Sequence, residues 1–509
     1  MWLVFSLLAS PDLLADDWSF PVKFDQAVRA EKFSGRVYLF FSKGEREPRF
    51  GPNWFHPEPF AARDVSNLKP DQTLMLSSSD PDLLFYPEDP AAFDPAGYQV
   101  QAVMRFDDWS RNVGTGEGNG YSQVLDVPTE EISSQPDVLV VNQIVPERKF
   151  VESDRVKLCE VESRQLSDFY GRQVKIRSAV ILPEQYESES ERRYPTLFVI
   201  PGFGGTHFAA SNYRNAYSAL DARLPIIKVI LDPSCPYGHH VFADSQVNGP
   251  WGSALIEEYL PEFEKRFRAI AHREARYLTG HSSGGWSSLW LMVSYPSAFG
   301  ATWSTAPDPV TFRDFQQVNM YRRCENIYFD QHDRARPLAR RDGEVVLLYP
   351  NFDHMETVLG RGGQLRSFEA VFGPRQLDGA PVPAWDRKTG RIDGQTIRVW
   401  EQYDILKKLK RNWCRTESLL RGRIHVHMGD QDTFYLEGAT ELLQQKMKAL
   451  GEPEAVTMHP ERTHFDLLQP ELRDRINREI EAHYRQYFQP DGTAKAHADS
   501  STRGPKLMP

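Results

Sequence analysis

The chain has 509 residues, of which 40% are hydrophobic, 12% aromatic and 26% charged. This length predicts about two to four domains, and this composition excludes a wholly disordered, collagen-like or coiled-coil protein. The formal net charge of −10 argues against a protein that mainly coats nucleic acid, and the sequence contains no apolar run of about 18 residues that would predict a transmembrane helix.

The N-terminus carries a short apolar segment. The run Trp2–Ala9 is followed by small residues and then by Asp16 and Asp17, a pattern typical of a signal peptide with its cleavage site. We therefore predict that residues 1–17 are a signal peptide and that the protein is secreted or periplasmic. Because no basic residue precedes the apolar run, a cytoplasmic protein with a poorly ordered N-terminus is the alternative.

Residues 18–150 have the pattern of a β domain. Short apolar or alternating runs occur at Val37–Phe41, Gln99–Arg105 and Asp137–Val141, and proline, glycine and aspartate separate them. Short strands at close spacing with turn residues between them are typical of a sandwich. We predict a small β-sandwich-like domain over these residues.

From residue 151 onward, apolar runs alternate with helical periods. The helical periods lie at Leu255–Phe267 and Leu472–Phe488, where apolar residues recur on one helix face. Strands that alternate with helices predict a mostly parallel sheet with helices on both faces. Residues 151–488 are therefore predicted to form one α/β domain. The predicted strands are Val174–Leu182, Pro195–Ile200, Pro225–Leu231, Ala275–Thr279, Ala301–Thr305, Arg423–Met428 and Ala455–Met458.

Two segments depart from this alternation. Residues 310–420 are rich in arginine and aromatic residues and lie between two predicted strands. So long an interruption is often a lid or a substrate-binding elaboration, and a solvated helical excursion is the alternative. Residues 489–509 are polar and small, which predicts a disordered tail.

The strongest chemical motif is G-x-S-x-G at Gly280–Gly284. A predicted strand precedes it and an amphipathic helix follows it, which is the context of a nucleophile elbow. Ser282 is therefore the predicted nucleophile. Ser283 is a weaker candidate, because His281 would then occupy the position that needs a small residue.

A serine nucleophile requires a base and an acid that orients the base. In the α/β-hydrolase order the acid follows the serine along the chain and the histidine comes last. The loop after Arg423–Met428 offers Asp432, with Asp430 as the second choice and Asp308 as a more distant one. The loop after the last predicted strand offers His464, with His459 as the alternative.

The remaining site residues are predicted from their loops. The N–H groups of Ser283 and Phe203 are the candidate oxyanion-hole donors, with Gly204 behind Phe203. Gly204, together with His240, Asn248 and Trp251, is predicted to contact the substrate, because their loops border the mouth of the site in this fold. His425 and His427 lack a third ligand at a suitable spacing, so no metal is predicted. The sequence contains no glycine loop of the P-loop or dinucleotide-binding type, so no cofactor is predicted.

Several segments resemble a known family. They are Val180–Pro183, Tyr194–Gly202, Gly280–Gly285, Gly429–Leu436, Glu369–Pro374 and Trp385–Gly390. They are similar to the putative esterase (esterase D-like) branch of the α/β-hydrolases, and most similar to its bacterial multi-domain type. This resemblance covers about residues 155–488 and implies an α/β-hydrolase fold in which Ser282 is the nucleophile, Asp432 the acid and His464 the base.

The leading functional hypothesis is a cofactor-independent serine esterase. It would cleave a small-molecule or polysaccharide-linked carboxylic ester through an acyl-enzyme intermediate, with no nucleic-acid partner. Two alternatives stay open: an acyltransferase on the same fold, and a non-catalytic carbohydrate-binding protein. The four cysteines lie far apart and predict buried free thiols more than disulfides.

Overall fold

The computed structural model describes residues 17–87, 89–129, 137–212, 218–489 and 492–495. The predicted signal peptide, except Asp17, and most of the predicted C-terminal tail lie outside these residues. The chain divides into two compact units. The first comprises residues 1–148 and 351–360, and the second comprises residues 149–350 and 361–509.

The first unit contains a nine-stranded sheet. Strand β1 pairs in parallel with β9, and the other pairs are antiparallel. Aromatic side chains such as Trp18, Phe20 and Phe41 fill its core. The strands are β1 Ser19–Phe24, β2 Phe33–Ser42, β3 Phe60–Leu68, β4 Leu74–Ser77, β5 Leu84–Tyr86, β6 Gln99–Met104, β7 Gly120–Ser122, β8 Leu125–Asp126 and β9 Leu139–Ile144.

A distant piece of the chain completes this unit. The guanidinium of Arg36 donates hydrogen bonds of 2.9 Å to the carbonyls of Thr357 and Val358, and the Tyr38 hydroxyl donates to the carbonyl of Leu359 at 2.7 Å. These are the last carbonyls of a helix, which have no partner within the helix itself. A cation at this end of a helix also interacts favourably with the helix dipole.

The second unit contains an eight-stranded sheet of order β10-β11-β13-β12-β18-β19-β22-β23. The first two pairs are antiparallel and the others are parallel. This is the α/β-hydrolase fold that the sequence predicted. The strands of this unit are β10 Val156–Glu162, β11 Lys175–Ile181, β12 Thr196–Ile200, β13 Ile227–Leu231, β14 Ser234–Cys235, β15 Gly238–His239, β16 Asp244–Ser245, β17 Gly249–Pro250, β18 Arg276–His281, β19 Ala301–Thr305, β20 Pro337–Arg341, β21 Glu344–Leu348, β22 Ile424–Gly429 and β23 Val456–His459.

Helices cover both faces of this sheet. Successive side chains along a strand point to opposite faces, so the apolar strands need a packing partner on each side. Leu197 and Val199 of β12 pack in one core cluster with Tyr484 of the last helix. Phe198 lies between them on the strand and makes ring contacts on the opposite face with Phe263 and Phe299. The α-helices are Arg164–Tyr170, Ser218–Asp221, Trp251–Ala254, Leu260–Arg266, Ser283–Ser294, Tyr349–Leu359, Gln364–Phe372, Gly394–Trp400, Ile405–Leu420, Glu437–Ala449 and Pro470–Tyr487, with a π-helical turn at Leu255–Tyr259.

The arginine-rich segment between β19 and β22 is structured. It contains the hairpin of β20 and β21 and several of the helices, among them Gln364–Phe372. All four cysteines are free, as predicted, but only Cys159 and Cys235 are buried, whereas Cys324 and Cys414 are exposed. Among the residues that the structure describes, we find no helix with the length and the hydropathy of a membrane span.

Candidate active site

The sharp turn between β18 and the helix Ser283–Ser294 holds Ser282 in a strained conformation. Its φ is 60° and its ψ is −126°, values that a non-glycine residue rarely adopts. The N–H of Ser282 donates to the carbonyl of Thr305 at the end of β19, at 3.0 Å, and its carbonyl accepts from the N–H of Trp286. The neighbouring strand and the first helical turn therefore fix a serine at the tip of an elbow.

Two glycines allow this elbow to form. A Cβ atom on Gly280 would lie 2.2 Å from the carbonyl oxygen of Gly284, and one on Gly284 would lie 1.9 Å from the carbonyl oxygen of Ile200. The motif thus needs glycine at both positions, because backbone atoms occupy the space that any side chain would fill.

A substitution at the second glycine should be severely destabilising. We expect Gly284→Ala to lower the free energy of unfolding by about 3 kcal/mol, since the new methyl group meets backbone that cannot move aside. Denaturant unfolding measures the change. Gly394→Ala is the matched control: an added Cβ there meets nothing within 4 Å at the first residue of a helix, so the change should stay below about 1 kcal/mol. Equal losses in the two variants would contradict this reading of the elbow.

His464 and Asp432 form a buried pair. His464 Nδ1 lies 2.7 Å from Asp432 Oδ2, and Asp432 Oδ1 accepts from the N–H of Phe434 at 2.8 Å. Because the carboxylate accepts, Nδ1 carries the proton and Nε2 is left with its lone pair. Burial opposes the charge on His464, but the Asp432 carboxylate outweighs it, so that the pKa of His464 is raised above its ordinary value.

The His464 ring lies beside the elbow. Its centroid is 4.6 Å from that of His281, the residue that directly precedes Ser282. No hydrogen bond joins Ser282 and His464, both of which the structure describes. Instead, the Ser282 hydroxyl lies 3.5 Å from Asp308 Oδ1, to which it donates. The structure therefore brings the three predicted residues to one place, with the serine turned toward a second carboxylate.

The other candidates for acid and base have local roles. Asp430 Oδ1 accepts from the N–H of Glu461 at 2.7 Å, and His459 Nε2 lies 3.2 Å from His427 Nδ1. Burial lowers the pKa of His427 to about 3, and His425 stacks on Trp303. Among the described residues, no group of three or more His, Cys, Asp or Glu side chains is arranged to hold a metal ion.

The glycine-rich loop after β12 passes directly over the elbow. A Cβ atom on Gly202 would lie 3.4 Å from Cβ of Ser282, so the loop that carries Phe203 and Gly204 begins next to the serine. His239 holds this loop from the other side. Its Nδ1 accepts from the N–H of Val241, so that its Nε2 carries the proton and donates to the carbonyl of Pro201 at 2.9 Å.

The predicted substrate-contacting residues beyond Gly204 lie in a buried cluster of their own. His240 stacks on Trp251 with 3.8 Å between ring centroids, and Asn248 is fully buried. The His240 Nε2, the Trp251 Nε1 and both side-chain polar atoms of Asn248 have no hydrogen-bond partner among the described residues. None of the three makes a hydrogen bond or a ring contact with the elbow residues Gly280–Gly284.

The arginine-rich insertion contributes residues that the sequence analysis did not assign. Gln364 Nε2 donates to Ser283 Oγ at 3.3 Å and lies 3.4 Å from Asp308 Oδ2. One helical turn later, Ser367 Oγ accepts from the N–H of His239 and donates to its carbonyl. The helix Gln364–Phe372 thus joins the elbow to the loop that holds Pro201.

A second element of the insertion holds the loop of Asp432. Arg340 Nε donates to the carbonyl of Asp432 at 3.0 Å, its Nη2 lies 2.6 Å from Glu437 Oε1, and its N–H donates to the carbonyl of Thr433. Burial raises the pKa of Glu437 to about 7. The only signal for this role in the sequence was the abundance of arginine in the insertion.

The chain is similar to known esterases over part of its length. Residues 171–465, more than half of the chain, match the family model described as Putative esterase. Two curated relatives, Esterase Rv1288 and Esterase MT1326 from two strains of Mycobacterium tuberculosis, are each 32% identical over 146 residues. The match covers 27% of this chain and only 30% of the length of each relative.

Two solved structures are also similar to part of the chain. A ferulic acid esterase aligns with a TM-score of 0.40 and 15% identity, over 65% of this chain and 100% of that chain. An S-formylglutathione hydrolase from Agrobacterium tumefaciens aligns with a TM-score of 0.36 and 15% identity, over 65% of this chain and 94% of that chain.

Proposed function

This chain belongs to the putative esterase family, and we propose that it hydrolyses carboxylic esters through an acyl-enzyme intermediate on Ser282. The observation that carries this proposal is the buried pair of His464 and Asp432 at 2.7 Å, whose imidazole lies beside a serine held at φ 60°. Together, these features supply a nucleophile, a base and an orienting acid in the order that the fold uses.

The proposed reaction begins with a rotation of the Ser282 side chain from Asp308 toward His464. His464 Nε2 takes the hydroxyl proton while Oγ forms a bond to the ester carbonyl carbon. The imidazolium then gives this proton to the departing alcohol oxygen as the carbon–oxygen bond breaks. A water molecule repeats the sequence on the acyl-enzyme and releases the acid.

The oxyanion of each tetrahedral intermediate would be bound by backbone donors. The N–H of Ser283 begins the elbow helix, which favours negative charge at this end. The N–H of Phe203, with Gly204 behind it, would be the second donor. The approach of Gly202 to the Ser282 side chain supports this assignment, since it brings the loop of Phe203 next to the nucleophile.

The proposed substrate is a small-molecule or polysaccharide-linked ester. His240, Asn248 and Trp251, whose buried polar groups have no hydrogen-bond partner among the described residues, are proposed to contact the substrate. Their connection to the site is the loop of His239, which donates a hydrogen bond to the carbonyl of Pro201. No cofactor takes part in the proposed reaction.

Partitioning of the acyl group tests the proposal. A series of acetyl esters with different leaving alcohols is hydrolysed in the presence of hydroxylamine, and the ratio of hydroxamate to acetate is measured. A common acyl-enzyme predicts one ratio for all esters, because the leaving alcohol has departed before the acyl group is divided. A ratio that varies with the alcohol would contradict the intermediate, and product formation that requires an added alcohol acceptor would favour an acyltransferase.

A further inference from the structure

A second carboxylate lies in the site and has no role in the proposed reaction. Asp308 follows β19, is almost fully buried, and no cation pairs with it among the described residues. Burying an unpaired carboxylate is costly, so its surroundings indicate what it contributes.

The contacts of Asp308 centre on the nucleophile. Its Oδ1 faces the Ser282 hydroxyl at 3.5 Å, its Oδ2 accepts from the Ser283 hydroxyl at 2.6 Å, and its N–H lies 3.4 Å from the carbonyl of Ser282. Gln364 Nε2 approaches the same Oδ2 at 3.4 Å. Asp308 thus makes hydrogen bonds with the two serines of the elbow and with Gln364, the first residue of the helix Gln364–Phe372.

We propose that Asp308 is a positioning residue of this reaction: its carboxylate holds the Ser282 and Ser283 hydroxyls in the resting enzyme and supplies a second negative charge to the imidazolium that forms on His464. This inference rests on the proposed function. The Ser282 proton goes to His464 Nε2, and Asp308 stays ionised throughout.

The electrostatics of the site agree with this role. The carboxylate of Asp432, from the loop after β22, is bonded to His464, and the His281 ring at the end of β18 lies against it. The charge of Asp308, from the loop after β19, also acts on the pKa of His464. Burial lowers the pKa of His281 to about 3, so it is neutral, while Asp308 adds to the effect of Asp432 in raising the pKa of His464. Burial raises the pKa of Asp308 itself to about 6, so Asp308 is ionised at neutral pH.

The test is the pH dependence of Ser282 modification by a fluorophosphonate probe. His464 must be neutral to accept the serine proton, so the acid limb of the rate reports the titration of His464, which in the wild type is coupled to that of Asp308. Removing the Asp308 charge lowers the pKa of His464, and the limb should move to lower pH in both Asp308→Asn and Asp308→Ala. The plateau rate should fall about tenfold in Asp308→Asn, because the imidazolium that forms on His464 loses one of the two negative charges that stabilise it. It should fall further in Asp308→Ala, which also removes the acceptor of the Ser283 hydroxyl.

Two controls separate charge from structure. Asp308→Glu keeps the charge and should keep the limb at the wild-type pH. Asp314→Asn removes a nearby carboxylate, at the start of the insertion, that accepts from the N–H of Gln317, and it should leave the limb unmoved. Thermal unfolding of each variant shows that it is folded.

The outcomes distinguish this inference from the proposed function. A limb that stays at the wild-type pH in Asp308→Asn and Asp308→Ala overturns the role of the Asp308 charge while the esterase proposal survives. Abolished labelling in a folded Asp308→Asn protein also overturns it, since Asp308 would then be the base. If the wild-type protein is not labelled at all, the proposed function itself fails.

Discussion

Replacing Ser282 with alanine should reduce kcat for an activated acetyl ester by about 10⁴–10⁶-fold. The variant loses the atom that forms the bond to the acyl carbon, and only binding and oxyanion stabilisation remain. The fold should persist, because the elbow is fixed by backbone hydrogen bonds to Thr305 and Trp286 rather than by the hydroxyl. Steady-state hydrolysis measured against the uncatalysed rate gives the loss directly.

Ser288→Ala is the matched control for this experiment. Ser288 lies on the helix Ser283–Ser294, which directly follows Ser282. Its side chain is fully buried, and its hydroxyl donates to the carbonyl of Gly285 at 2.9 Å. Removing that hydroxyl should change kcat by no more than a few-fold. Comparable activity in Ser282→Ala and wild type would exclude Ser282 as the nucleophile.

Asp432→Asn should have the second largest effect, a loss of about 10⁴-fold in kcat. The carboxylate keeps the proton on His464 Nδ1 and stabilises the imidazolium, whereas an amide can turn its N–H₂ group toward Nδ1 and force the proton onto Nε2. The ring would then have no lone pair for the Ser282 proton. The measurement is kcat at the pH optimum, with the unfolding transition as a check of the fold.

Asp430→Asn separates the two acids of this loop. The Asp430 carboxylate holds the N–H of Glu461 at 2.7 Å and does not contact His464, so kcat should stay within about tenfold of wild type. A larger loss in Asp430→Asn than in Asp432→Asn would reverse the assignment of the acid.

Local patterns and chain order in the sequence were enough to predict the nucleophile, the acid and the base of the proposed site. The elbow follows from glycine spacing between a strand and a helix, and the pairing of Asp432 with His464 follows from their positions after the last two strands of the sheet. Parallel strands present their carboxyl ends at one edge, which allows residues far apart in the chain to meet there. The sequence favoured Asp432 over Asp430 as the acid, and in the structure the carboxylate of Asp432 lies 2.7 Å from His464 Nδ1.

The contributions of the insertion could not be read from the sequence. Gln364 reaches Ser283, and Arg340 reaches the carbonyl of Asp432, but both contacts depend on how the hairpin and helices of the insertion fold back on the sheet. The contact between Gln364 and Asp308 also depends on how the insertion folds back on the sheet. The bonds between Arg36 and the carbonyls of Thr357 and Val358 likewise join segments more than 300 residues apart, for which no local pattern exists.

Mass spectrometry of the protein after reaction with a fluorophosphonate probe tests the central claim most directly. A serine activated by His464 and Asp432 predicts one covalent adduct, located on the peptide that contains Ser282, and no adduct in Ser282→Ala. An adduct on another residue, or labelling that persists in Ser282→Ala, would contradict a reactive serine at this elbow.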